Sequence, residues 1–137
     1  MIGEYFAARP DEIDEEIVEL GPEARFETVS AKTYSSVTGT LGEILKVGDS
    51  EQLTAQTETD WYAESGECGI DAIPTALRDA LAEARDLVQV AERWTATDEL
   101  RLDGWTVDET HKVLSGLARL AADAQASGRD LWFYWSL

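Results

Sequence analysis

The chain predicts an α+β domain: a small, mostly antiparallel sheet of three to four strands with two longer helices packed on one face. Three observations carry this expectation. Residues 106–137 read as a helix, a glycine stop and an aromatic strand, DLWFYWSL, that runs to the last residue. A second long helix with a broad apolar face opens at Pro74. Elsewhere strands and helices mix without the regular alternation that a parallel sheet requires. At 137 residues, 44% of them hydrophobic, the chain suits one domain able to bury a core without disulfides or a structural metal.

Taken in order, residues 2–8 predict a short strand through Ile2, Tyr5 and Phe6, ended by Pro10, which cannot donate to a ladder. Residues 11–20 predict a helix, with Ile13, Ile17 and Leu20 at helical spacing and acids gathered in its first turns, where the helix dipole favours negative charge. The Gly21-Pro22 pair ends it. Phe, Val, Thr and Tyr in residues 25–35 predict a second strand. Thr40 then offers a cap for a short helix through Leu41, Ile44 and Leu45, stopped by Gly48. Residues 49–73 are polar and hard to read, and β-favouring residues place a strand at 53–62.

Pro74 suits a first helical position, where its missing N–H is not needed. Leu77, Ala80, Leu81, Ala84, Leu87, Val88, Ala91 and Trp94 then give one long helix over 74–94. Residues 100–105 cross to the last helix. There Thr106 stands three residues before Glu109, the spacing of a capping box, and the stripe from Val107 to Ala124 ends at Gly128, a helix-closing glycine. Gly116, inside that helix, marks a close approach to a neighbouring element, since an interior glycine otherwise costs about 1 kcal/mol relative to alanine. Leu131, Phe133, Trp135 and Leu137 alternate with Trp132, Tyr134 and Ser136, so the last strand carries large side chains on both faces. It must be central or covered twice. Otherwise Trp132 and Tyr134 are exposed, and strand 131–137 becomes the interface of a homodimer.

Charge is the most informative bulk property. With 28 acidic and 11 basic residues the net is −17; residues 1–73 hold 17 acids and 4 bases, whereas 74–137 hold 11 and 7. Between Lys46 and Arg78 there is no Lys or Arg, while Asp49, Glu51, Glu58, Asp60, Glu64, Glu67 and Asp71 accumulate. Such a field repels nucleic acid, whose binding depends on Lys and Arg displacing counterions, and disfavours anionic membrane surfaces. It attracts a basic protein, a polyamine or a hard cation. Solubility alone is the competing explanation, because a charge run is usually a solvated face. No apolar run approaches the length of a membrane span and MIGEYFAARPDEIDEE lacks the form of a secretion signal, so a cytoplasmic location is expected.

Motifs for chemistry are scarce. Cys68 is the only cysteine and His111 the only histidine, so the chain offers no soft-metal cluster, and no metal or cofactor is expected. Acidic neighbours Glu67 and Asp71 disfavour the Cys68 thiolate. Asp108 stands three residues before His111 and could share its helix face, but a base needs further groups in geometry. The acidic run lacks the calcium-loop pattern, and no phosphate-binding glycine loop is present. Five tryptophans are many for this length. Trp94, Trp132 and Trp135 lie on apolar stripes and suit the core, whereas Trp61 and Trp105 are divided between core and surface. Trp61 and Tyr62 sit inside the stretch without positive charge, as aromatics rimmed by acid for an Arg- and Lys-rich partner would.

The N-terminal MIGEYFAARPDEIDEEI and the C-terminal helix-then-strand arrangement resemble the YfbM-like group, small bacterial proteins of uncharacterised function. The resemblance implies a fold and no catalytic residue.

The expected function is therefore a non-enzymatic binding protein, inhibitor- or immunity-like, that engages a basic protein through Asp49, Glu51, Glu58, Asp60, Trp61, Tyr62, Glu64 and Glu67. The alternative is a small hydrolase or isomerase using carboxylates or His111 in a pocket.

Overall fold

The doubly apolar C-terminal strand takes the centre of the sheet. The computed structural model describes residues 2–31, 35–57 and 59–137, with side chains at all of these except 2, 35–37, 59 and 60. Among them, five strands form one antiparallel sheet in the order β2-β1-β5-β4-β3. These strands are β1 (Ile2–Ala8), β2 (Val29–Ala31), β3 (Thr59–Tyr62), β4 (Cys68–Ala72) and β5 (Asp130–Ser136). β5 pairs with β1 along its whole length on one side and with β4 on the other. The α+β expectation holds, with one strand more than the three to four expected.

Seven helices accompany the sheet among the described residues: α1 (Glu15–Leu20), α2 (Ser35–Ile44), α3 (Ser50–Gln56), α4 (Thr75–Glu83), α5 (Leu87–Thr95), α6 (Asp98–Leu102) and α7 (Val107–Ser127). α7 lies across one face, touching β1, β2 and β5, with α4 and α5 packed against it. Tyr5, Leu131 and Phe133 from the strands meet Leu77, Leu81, Trp94, Leu114 and Leu117 there. Each of these is at most 1% exposed, and burying such a side chain contributes about 1.5–3 kcal/mol.

The opposite face is also covered, which the expectation of helices on one face missed. Ile13, Ile17 and Val18 from α1 and its approach pack with Phe6, Ile70, Trp132 and Tyr134. Trp132 and Tyr134 are thereby buried, at 4% and 8% exposure, and both edges of β5 are occupied. The condition set for a homodimer through strand 131–137 is not met.

Several boundaries depart from the sequence reading for identifiable reasons. Residues 74–94 do not form one helix: Asp86 takes a left-handed conformation, φ 53°, and separates α4 from α5, so that Leu81 and Trp94 can both reach the core under α7. Residues 53–56, expected as strand, close α3, whose start Asp49 caps by accepting from the Glu51 N–H at 2.8 Å. α2 begins before Thr40 and ends well short of Gly48, at Ile44, with the chain turning at Lys46, whose φ is 61°. The first helix starts later than residue 11, after a 3₁₀ turn at Pro10–Glu12, with Asp14 capping α1 through the Ile17 N–H. The second strand keeps only Val29–Ala31, and 32–34 lie outside the described residues. Gly116 does mark a close approach, but to a strand: a Cβ there would stand 2.9 Å from Val29 Cγ2 of β2.

Candidate functional site

The hairpin part of the expected acidic face maps onto one edge of the sheet, whereas Asp49 and Glu51 belong to α3, which packs against α2. β3 is the edge strand, joined to β4 by a turn in which the Gly66 N–H closes on the Ala63 carbonyl at 2.9 Å. Glu64 and Glu67 stand exposed on this turn, and the Glu67 carbonyl accepts from the Leu137 N–H at 2.9 Å, which ties the turn to the chain end. Asp49 and Glu51 are exposed at the start of α3. Glu58 lies outside the described residues, and Asp60 is described in its backbone only.

The two aromatics of this stretch part company. A bulge between Thr59 and Trp61 resets the register, so that Trp61 opposes Ile70 and Tyr62 opposes Gly69. Trp61 turns to the α1 side and packs half-buried against that core. Tyr62 turns to the α7 side and is 65% exposed. The structure thus brings Tyr62 and the hairpin acids to one edge and gives Trp61 a packing role.

Sequence reasoning missed what stands behind Tyr62. The row Tyr62, Gly69, Trp135 crosses three strands on one face. A Cβ at Gly69 would come within 2.4 Å of Trp135 Cζ2, so the glycine is what lets the indole lie across β4. The Tyr62 and Trp135 rings meet at near right angles, with centroids 6.2 Å apart and planes at 76°. Trp135 donates its indole N–H to Asp71 Oδ1 at 2.9 Å, and Asp71 is 2% exposed. Asp71 was counted in the solvated acidic run; it is instead a buried carboxylate inside the sheet's packed face. A Gly-x-Asp spacing in a strand was the available signal, since both residues then point to the same side.

Every charged side chain from Asp49 to Asp71 is acidic. Among the described residues no ion pair reaches Asp49, Glu51, Glu64 or Glu67, whereas Arg9, Arg25, Arg78, Arg101, Arg119 and Arg129 all pair within the molecule. On the α1 face at the hairpin end of the sheet, partial burial and then Glu23 push the Glu4 carboxyl up from its ordinary value. Burial, followed by hydrogen bonding with Cys68, raises the Tyr134 phenol. Cys68 itself is half-buried against this second core.

His111 is half-buried on α7. A groove of about 360 Å³ is lined by Ala7, Glu27, Leu120, Asp123, Ala126, Ser127 and Arg129, which include neither His111 nor any residue of 49–71. Among the described residues no group of three or more His, Cys, Asp or Glu is placed to hold a metal ion, and no helix of theirs is long and apolar enough to cross a membrane. Comparison with family models, with curated proteins and with solved structures finds no match to this chain.

Proposed function

We propose that this chain is a non-enzymatic, cytoplasmic binding protein that engages a basic protein partner through the β3 edge. The contact surface comprises the start of α3, the β3–β4 turn and Tyr62. The observation that carries this reading is a run of one sign: no Lys or Arg stands between Lys46 and Arg78, and within it exposed Asp49, Glu51, Glu64 and Glu67 have no ion-pair partner among the described residues. Unneutralised acid around an exposed tyrosine speeds encounter with a surface rich in Arg and Lys, and the tyrosine gives that encounter something to hold. The resemblance to the YfbM-like group is likewise a proposal, supported by the N-terminal segment and loosely by the C-terminal helix-then-strand arrangement, and it adds no function.

The test is capture of a partner from native lysate, followed by association kinetics with the charge-reversed variant Glu64→Lys/Glu67→Lys. A basic protein retained at low salt and released at high salt is the expected result. Its association with the variant should slow at least tenfold at low ionic strength, with the difference closing as salt rises. Equal rates for the two proteins at low salt would remove the reading.

A further inference from the structure

The aromatic corner behind the acidic edge deepens this reading, on which it rests. We propose that Tyr62 and Trp135 form a receptor for one cationic side chain, an arginine or lysine of the basic partner. Burial does not account for Tyr62, because 65% of it faces water. Trp135 packs partly against the α7-side core, and Gly69 leaves the space into which its indole lies, a placement that also brings it to Tyr62. The two rings meet edge to face, with planes at 76° and centroids 6.2 Å apart, and the ring surfaces outside that contact are what receive the cation.

The third part of the corner is Asp71. Its carboxylate accepts the Trp135 N–H at 2.9 Å, so the ring is held in one orientation before any ligand arrives. A carboxylate at the indole nitrogen also pushes electron density into the ring and strengthens its negative face. Since Asp71 is 2% exposed, it does not touch the ligand and is a positioning residue. Glu64 and Glu67, on the turn leading out of the same strand, supply the negative rim.

The experiment follows the Trp135 indole N–H by NMR in ¹⁵N-labelled protein, with the resonance assigned through Trp135→Phe. The probes are N-acetyl-arginine methylamide, N-acetyl-lysine methylamide and the neutral N-acetyl-norleucine methylamide, all at constant ionic strength. A saturable shift with either cation and none with norleucine is expected; which cation binds tighter separates guanidinium from ammonium recognition. Tyr62→Ala should weaken binding at least fivefold. Asp71→Asn still offers the indole an oxygen, so it should keep the resonance near its place while weakening the cation several-fold. An equal response to norleucine, or none to either cation, overturns the proposal and leaves Trp135 as a ring that covers a strand glycine. A parallel titration with a nona-arginine peptide separates the two failures. Salt-sensitive peptide binding, abolished in Glu64→Lys/Glu67→Lys while the Trp135 signal stays still, retires the corner and spares the acidic edge. No peptide binding retires both.

Discussion

Two regions of this molecule use charge in opposite ways. At the corner where β1 ends and β5 begins, opposite charges interlock: Arg129 reaches Glu12 at 3.0 Å, and Arg9 gives its backbone N–H to the same carboxylate at 2.9 Å. Beside them Arg78, its side chain only 14% exposed, pairs with Asp79 at 2.9 Å and donates to the Arg129 carbonyl at 2.7 Å. Gln125 of α7 joins through Asp79. At the β3 edge the acids stand apart from any cation among the described residues. The corner joins α4, α7 and the sheet with groups that satisfy one another, so its charges are structural. The edge has like charges and no internal partner, so its charges cost stability and are available to something else.

The largest effect that would test this contrast is removal of the corner's central cation. Arg78→Met keeps the stem but leaves Asp79, Asp130 and the Arg129 carbonyl without it, and the remaining acids then repel. We expect a loss of about 2 kcal/mol, below the full cost of breaking a completely buried pair because Asp79 and Asp130 are 38% and 41% exposed. Thermal unfolding would measure it as a Tm lower by several degrees. A change under one degree would mean that the corner is no more structural than the edge.

Charge reversal at the edge should act in the other direction. Glu64→Lys/Glu67→Lys relieves repulsion in a chain of net charge −17 and should stabilise by about 0.5 kcal/mol at low salt, each exposed charge contributing little. Raising NaCl should lift the wild-type Tm and lift the variant's less, because salt has less repulsion left to screen. A variant less stable than wild type at low salt would show that these glutamates hold the hairpin.

How much of this was legible in the sequence differs between the same two regions. β1, α7 and β5 could be read closely, since a Thr106 cap, a long apolar stripe and a left-handed glycine, φ 67° at Gly128, are local signals that packing did not override. The acidic edge could be read in composition but not in structure. β4 was missed because its two positions facing α7, Gly69 and Asp71, look like loop residues, and only the indole of Trp135, distant in sequence, explains them. α2 was cut short for a related reason. Gly39 resembles a helix breaker ahead of the Thr40 cap, yet a Cβ there would meet Thr54 Oγ1 at 2.5 Å and one at Gly42 would meet Leu53 Cδ1 at 2.4 Å, so both glycines allow α3 to approach. The break at Asp86 carries no glycine or proline and is dictated by tertiary packing. Glycines serving a distant partner are indistinguishable, in one sequence, from glycines that end an element.

A smaller effect comes from pH. At the corner, the Arg9 backbone N–H and then the Arg129 side chain hold the Glu12 carboxyl below its ordinary value; Arg25 and then the Ile17 N–H do the same for Asp14. A carboxyl with a depressed folded value contributes stability above its unfolded pKa and loses it as pH falls through the folded one. Stability should therefore decline below the ordinary values of 4.5 and 3.8. Glu12→Gln should flatten the upper part of that decline, as read by Tm against pH. An acid limb unchanged in Glu12→Gln would separate Glu12 from the charge network assigned to it.

The smallest effect has the opposite sign and comes from the other end of the sheet. Glu4 faces the α1 side opposite Tyr134, towards the end where the β3–β4 hairpin stands, and partial burial followed by Glu23 raises its carboxyl above 4.5. A raised folded value favours the protonated form, so the favourable contribution is complete below the unfolded pKa and is lost as pH rises through the folded one. At neutral pH the ionised Glu4 is consequently a small liability, and Glu4→Gln should stabilise by a few tenths of a kcal/mol, discounted for the water that still reaches the group. Near pH 3.5 the advantage should vanish, because both side chains are then neutral. Glu12→Gln and Glu4→Gln would thus shift the pH–stability curve in opposite senses, one variant at an acid that the fold has neutralised and one at an acid that it has not. Equal shifts of one sign would show that the two carboxylates share a single environment, and the division of the molecule into paired and unpaired charge would not extend to this face.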